Sequence, residues 1–238
     1  MDETAKIEIR RGDGVYSFEC FDTDYSKGIS RSILNGETYP ALPFIGDVRT
    51  VVDIGANVGA ASVYFSLNYP LADVYAYEPD PRSFDLLRRN AERVPRIRLE
   101  NVGLFSADCR KLLYDSNFDS VTASVRTSIL NRGTGTEVVL RDAAAVLAAI
   151  PQPDIIKIDT EGCEVPILYA ARDIAANSKV VYVEYHSETD RRIIDCLLGP
   201  THILVRGGAS NPHRGEFCYV RRDAFAGTNE LFQLEIKS

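Results

Sequence analysis

"VVDIGANVGA", residues 51–60, sets the reading of the whole chain. A short apolar run carries one acid, Asp53, and ends at Gly55; Gly59 follows, and then an alanine-rich segment. That is the pattern of a buried strand passing through a glycine turn into a helix. In an open α/β sheet, ligands bind beyond the carboxyl ends of the strands. Glycines there let the backbone come close to a ligand, and helix N-terminal amides favour negative charge. The turn lacks the GK[ST] ending of a phosphate loop. Asn57 stands where the dinucleotide pattern GxGxxG has its second glycine. By itself the stretch marks a tight turn and names no ligand.

Outward from it, strands and helices alternate. "ADVYAYEP" (72–79) reads as a second strand and "RSFDLLRRNAERV" (82–94) as a helix with apolar Phe84, Leu86, Leu87 and Val94. "IRLENVGLF" (97–105) carries a third strand. "DAAAVLAAI" (142–150) is a helix closed by Pro151 and Pro153. "DIIKIDT" (154–160) and "KVVYVEYH" (179–186) are the fourth and fifth strands, each followed by a helix. "HILVRG" and "EFCYVRR" close the chain as an antiparallel edge hairpin. The expected fold is α/β, with a mostly parallel central sheet, helices on both faces and an antiparallel C-terminal edge. Within the segment 106–140, "TSILNRGTGTEVVL" (127–140) reads as a loop and one extra strand. Residues 1–49 form an N-terminal extension in which "KIEIRR" and "VYSFECF" pair as a hairpin. This extension either covers a pocket or seals exposed core; residues 50–238 make the domain proper.

Composition narrows the partners. The 238 residues suffice for one substantial core. A net charge of −7 argues against a nucleic-acid footprint. Five widely spaced cysteines without a CxxC fit neither a disulfide scaffold nor a zinc ribbon, but a reducing cytoplasm. "DETAKIEIRR" lacks the apolar run of a secretory signal, and no stretch is long and apolar enough to span a bilayer. A cytoplasmic protein with a small-molecule partner is expected, with no nucleic acid and no membrane; a homodimer is only the usual prior.

The second strand adds chemistry. It places Glu78 beside the glycine turn, where a carboxylate accepts from two ribose hydroxyls; the alternative is a solvated strand end. Asp53, inside an apolar strand, needs partners. A cationic ligand with a ribose and no phosphate suits this acidic chain.

Four stretches then carry a specific resemblance: "VVDIGANVGAASVYFS" (51–66), "VYAYEPDP" (74–81), "ENVGLF" (100–105) and "IIKIDTEGCEVPIL" (155–168). In this order and spacing, with "YVEYH" (182–186), the chain resembles the FkbM family of class I S-adenosylmethionine-dependent methyltransferases. The KID-x-EG pattern is the most specific part. The resemblance implies a Rossmann-like fold and S-adenosyl-L-methionine as methyl donor, leaving S-adenosyl-L-homocysteine. It implies that Asp53, Gly55, Asn57 and Gly59 surround the methionine part, that Glu78 binds the ribose with Asp80 or Pro81 bordering it, and that Gly103 and Leu104 flank the adenine. The family usually has alanine where Gly103 stands. Asp108 is a further candidate, for the adenine amino group.

The acceptor side is expected at the ends of the fourth and fifth strands. Lys157 and Asp159 share a face, Glu161 follows, and Glu184 and His186 share a face of the next strand. A charged triplet in an apolar segment is rarely plain core, although a buried Lys157–Asp159 pair that shapes the loop is the bland alternative. Asp159 contacts either the donor's amino group or the acceptor; Glu161 orients Lys157 or binds substrate. His186 is the expected general base because free imidazole titrates near neutrality, with Glu184 orienting it or holding an acceptor hydroxyl; the bland alternative is a surface histidine at a strand end. Asp159, Glu184 and His186 would also suit Mg²⁺ or Mn²⁺, but the resemblance implies no metal requirement. Tyr39, Phe44, Arg126 and His213 are candidate acceptor contacts. Buried Cys163 and structural His202 are the plain readings of those residues. The resemblance implies O-methylation of a hydroxyl on a sugar or polyketide-like natural product. The alternatives are N-methylation of an amine or amide, or a noncatalytic nucleotide-binding scaffold.

Overall fold

A computed structural model describes residues 3–11, 14–94, 96–116, 119–124, 135–211 and 213–225. The N-terminal hairpin pairs β1 (Thr4–Arg11) with β2 (Gly14–Phe21). Helix α1 (Asp24–Leu34) follows. Then come β3 (Thr50–Ile54), α2 (Ala60–Asn68), β4 (Asp73–Tyr77), α3 (Pro81–Ala91), β5 (Ile97–Glu100), β6 (Gly103–Phe105), β7 (Cys109–Ser116), β8 (Asp119–Ser124) and β9 (Thr136–Asp142). The chain continues with α4 (Ala143–Ala148), β10 (Ile155–Ile158), α5 (Glu164–Ala170), α6 (Arg172–Asn177), β11 (Val180–Tyr185), α7 (Glu188–Leu198), β12 (His202–Asn211) and β13 (Arg214–Arg221).

The main sheet has the order β12-β13-β11-β10-β3-β4-β5. Strands β11, β10, β3, β4 and β5 run parallel, and β13 inserts antiparallel between β11 and β12. This is the Rossmann-like order with an antiparallel edge hairpin. The strand order reverses between β3 and β10, so a crevice opens beyond their carboxyl ends. The glycine turn and the KID-x-EG loop both border it.

The central strands are buried on both faces. Val51, Val74, Ile155 and Val180 face one cluster, with Phe65 of α2, Leu86 of α3, and Ile7, Phe18, Leu34 and Tyr39 of the N-terminal segment. Val52, Ile156, Ile158, Val181 and Val183 face the other, with Leu147, Ile167, Leu168 and Ile194 of α4, α5 and α7. Each such valine or isoleucine contributes about 1.5–3 kcal/mol. The N-terminal segment is therefore continuous with one layer of the core.

Caps set the helix starts. Thr23, Asp80, Asp142 and Ser187 each accept from an amide in the first turn of α1, α3, α4 and α7. Helix α1 escaped the sequence reading, although Thr23 before it and left-handed Gly36 beyond it (φ 78°) punctuate it.

"IRLENVGLF" carries its strand of the main sheet as β5, and β6 follows within the same stretch. Asn101 turns its side-chain amide back to the Glu78 and Pro79 carbonyls, and the chain leaves the main sheet there. The extra strand expected within 127–140 is β9, and the loop before it, at 127–134, lies outside the described residues. β6, β9, β7 and β8 form a second sheet in that order, with Leu113, Val138 and Leu140 as its buried face. No helix among the described residues is long and apolar enough to cross a membrane.

Candidate active site

The glycine turn is held from beneath. Lys157, on β10, lies beside Asp53 of β3 in the parallel register. Its Nζ is 3.0 Å from Asp53 Oδ1, and it donates to the Gly55 carbonyl at 2.6 Å. Asp53 Oδ2 accepts from the Ser62 hydroxyl at 2.6 Å, which ties the turn to α2. Both charged groups are almost wholly buried. Burial alone would lower the Lys157 pKa, but the carboxylates of Asp53 and Asp159 outweigh it and raise it. Lys157 and Asp53 thus brace the turn, and Lys157 is not a free acid or base. At Gly55 (φ 78°) a Cβ would stand 1.8 Å from the Asp159 carbonyl oxygen, so no other residue fits there.

Above this brace lies a cavity of about 460 Å³. At one end it is walled by Gly55, Asn57, Glu78, Gly103 and Leu104. Glu78 Oε2 accepts from the Asn57 amide at 2.7 Å and Oε1 from the Asp80 amide at 2.8 Å. Each carboxylate oxygen keeps a lone pair for a hydroxyl donor. Burial pushes the Glu78 pKa up to about 7, against the pull of those two amides. Asn57 Oδ1 is buried without a hydrogen-bond partner among the described residues. A buried orphan oxygen, a carboxylate beside it and a glycine-lined wall suit a ligand bearing an amine and a diol. That donor set fits S-adenosylmethionine.

Two expected neighbours of that end lie elsewhere. The Asp80 carboxylate accepts from the Arg82 amide and the Ser83 hydroxyl as the α3 cap, and does not wall the cavity. Asp108 is exposed and accepts from the Asp142 amide at 2.7 Å, holding β9. Gly59 (φ 92°) packs under Leu87, where a Cβ would come within 2.6 Å, and acts through the turn's shape. Pro81 opens α3.

The other end is walled by Tyr25, Tyr39, Asp159, Glu161, Glu184 and Arg214. Glu184 is 5% exposed and shares a hydrogen bond with Asp159. Burial, then the adjacent Asp159 charge, raises Glu184 to about 10. Burial would also raise Asp159, but Lys157 and the hydrogen bond from Glu184 bring it down to about 2. The two carboxyls therefore titrate as a pair, with burial and the Asp159 charge pushing Glu184 up and Lys157 pulling Asp159 down. Tyr39 donates to Asp159 Oδ2 at 3.3 Å; its burial raises the phenol pKa and keeps that proton in place. Arg214, at the start of β13, donates to Glu184 Oε1 at 2.5 Å and to Glu161 Oε1 at 3.0 Å.

His186 overturns the expectation made of it. Its Nε2 is 3.1 Å from Glu161 Oε2 and its Nδ1 is 3.3 Å from Glu164 Oε1. Burial would lower its pKa, but Glu161 and Glu164 outweigh that and raise it to about 11. The flanking carboxylates favour its protonated form, which argues against a general-base role, and it does not wall the cavity. Glu164 itself is fully buried and gathers the Thr160 and Gly162 amides, folding the KID-x-EG loop around left-handed Glu161 (φ 53°). Asp159, Glu161, Glu184 and His186 also bring four donor atoms within 4.8 Å of one another, a set that could hold a divalent cation in competition with Arg214 and the His186 proton.

Among the other candidates, Tyr39 walls the cavity. Phe44 does not; its ring packs on Phe225 at 5.4 Å. His213 is an exposed left-handed turn residue (φ 71°) beside Arg214, outside the cavity wall. Arg126 lies outside the described residues. Cys163 is buried, and His202 is buried between Thr201 and the Ser178 carbonyl. The sequence reading missed Arg214, Glu164 and the α1 wall formed by Tyr25 and Ile29. Glu164 had a signal: a lone acid opening an apolar helix. Arg214 had none, because only the edge hairpin brings it back over β11.

Comparison with known proteins follows this geometry. The family model described as the methyltransferase FkbM domain matches residues 53–199. The hexuronic acid methyltransferase AglP of Haloferax volcanii is 27% identical over 150 residues, which are 61% of this chain and 59% of that protein. The 2-O-methyltransferase NoeI of Sinorhizobium fredii is 23% identical over 154 residues, 58% of this chain and 63% of that protein. The chain thus spans about three fifths of each of these relatives. Among solved structures, the Methanococcus jannaschii fibrillarin pre-rRNA processing protein superposes with a TM-score of 0.53 at 15% identity, covering 91% of this chain and 82% of that one. At that identity the likeness is one of fold.

Proposed function

Because this chain belongs to the FkbM methyltransferase family, we propose that it transfers a methyl group from S-adenosylmethionine to a hydroxyl of a sugar or sugar-like small molecule. One observation carries the reading. The glycine–Asn57–Glu78 end and the Asp159–Glu184 pair open into the same cavity. A donor seat without an acceptor wall would fit a scaffold; the shared cavity supports a transferase instead. The names of the two relatives support a sugar hydroxyl as acceptor.

When bound, S-adenosylmethionine supplies an electrophilic methyl group on a sulfonium. Glu78 accepts from the ribose hydroxyls, Asn57 Oδ1 accepts from the amine, and Gly103 and Leu104 border the base. At the other end Asp159 accepts the acceptor's O–H and aims an oxygen lone pair along the cavity. The oxygen sheds its proton as the new bond forms. An alkylated oxonium is so acidic that even a carboxylate held near 2 takes that proton. Tyr39 and Lys157 keep Asp159 ionised and in place; Arg214 and protonated His186 fix Glu184 and Glu161 around it. Catalysis on this reading is chiefly positioning in a site shielded by α1.

The test is an acceptor screen with S-adenosylmethionine, read as a gain of one methyl by mass. Hexuronic acids and other hexoses come first. Transfer to a sugar hydroxyl is expected. Transfer confined to amines would replace this reading with N-methylation, and donor binding without transfer to any acceptor would favour a scaffold.

A further inference from the structure

Resting on that reading, we propose that a second cavity beside the first is an acceptor subsite for a further hydroxyl-rich unit, so that the substrate is a glycoside and not a free sugar. The first cavity, about 460 Å³, must seat the donor and the reacting unit together. Pockets that hold one drug-sized ligand span roughly 300–1,000 Å³. Little room remains there for the rest of a larger acceptor. The second cavity, about 290 Å³, meets the first along Thr38, Tyr39 and Glu216.

The sheet register dictates what lines it. Glu216 of β13 stands directly opposite Glu184 of β11, and Gly208 of β12 stands opposite Glu216. Directly paired residues share a face. The row of hydroxyl acceptors that begins with Asp159 and Glu184 therefore runs on through Glu216 into the second cavity. One pair further along, Arg206 faces Cys218, which faces Tyr182. Arg206 is exposed and donates to the Glu37 carbonyl at 2.6 Å, which anchors a cation at the rim. A carboxylate, a guanidinium and the Thr38 hydroxyl around a floor closed by buried Tyr39 and Tyr182 match the hydroxyl edge of a sugar ring. At Gly208 a Cβ would meet no heavy atom within 4 Å, so the cavity stays open where the acceptor would leave the protein.

Gly208 also provides the test, because it lines the second cavity and not the first. The probes are glucuronic acid and its β-1,4-linked disaccharide with glucose, each assayed with S-adenosylmethionine by mass. The wild-type protein is expected to favour the disaccharide by about tenfold or more in kcat/KM. Gly208→Leu is expected to remove that preference, leaving the monosaccharide rate within about twofold. Arg206→Ala, which removes no core packing, should lower the preference in the same direction and guards against a folding defect in the first variant. Equal use of both sugars by the wild type, or equal loss for both in Gly208→Leu with Arg206→Ala silent, overturns the subsite alone. Transfer to neither sugar, with S-adenosylhomocysteine still binding, overturns the sugar reading and the subsite with it.

Discussion

Lys157 Nζ lies 3.0 Å from Asp53 Oδ1, in the floor under the glycine turn, with both side chains almost wholly removed from water. The two strands that carry them run side by side in register, so the pair joins the glycine turn to the KID-x-EG loop. Removing one partner strands the other charge in the core, at a cost of about 3–5 kcal/mol. Lys157→Met is therefore expected to lower stability by about that amount in urea unfolding. The double variant Lys157→Met with Asp53→Asn should recover part of the loss, because neither residue is then charged. Additive losses would show that the pair is not coupled.

The imidazole of His186 should be protonated well above neutrality. Its folded pKa, about 11, lies above the ordinary value of 6.5. The stability it contributes is complete below pH 6.5 and fades as pH rises toward 11. Nitrogen chemical shifts at pH 8 should report an imidazolium, and His186→Gln should flatten the fall in stability between pH 7 and 10. A neutral ring at pH 8 would restore His186 as a candidate base.

Donor affinity should depend on pH through Glu78. Burial holds its pKa near 7 in the folded protein, above 4.5. The ionised form accepts from two hydroxyls and the protonated form from fewer. S-adenosylhomocysteine is expected to bind more tightly as pH rises from 6 to 8 in calorimetric titrations. Glu78→Gln should weaken binding and lose that slope; a retained slope would assign the titration elsewhere.

Gly55→Ala is expected to abolish donor binding. A left-handed backbone costs a residue with a Cβ about 1–2 kcal/mol, and here the Cβ would also collide with the Asp159 carbonyl. Near-normal affinity in the same titration would mean that the loop relaxes freely.

Phe44→Ala distinguishes packing from substrate contact. Its ring meets Phe225 away from the cavity wall. Stability should fall by less than the about 3–5 kcal/mol of a fully buried phenylalanine, with KM for any acceptor unchanged. A rise in KM at full stability would return Phe44 to the acceptor site.

Much of this was legible in the one-dimensional pattern. The apolar run at 51–54, the glycines at 55 and 59, Glu78 at a strand end and the KID-x-EG loop are local features, and local geometry follows from local chemistry. The alternation of strands and helices carried the sheet and its edge hairpin. Where the reading failed, the cause was packing at long range. The end of the main-sheet strand within 97–105 was not legible because nothing nearby shows that Asn101 will bond the Glu78 and Pro79 carbonyls.

The sequence by itself brought Gly55, Asn57 and Glu78 to one end of the cavity, because strand, turn and strand end are neighbours along the chain, while Asp80 and Asp108 fell outside its wall. The acceptor side took shape only in three dimensions. His186 reads as a base until Glu161 and Glu164 surround it; Lys157 reads as reactive until Asp53 claims it. Arg214 reads as a surface cation until the edge hairpin lays it across Glu184. A titrating group's role depends on which charges stand within a few ångströms of it in a medium that screens them poorly, and those neighbours lie tens of residues away along the chain.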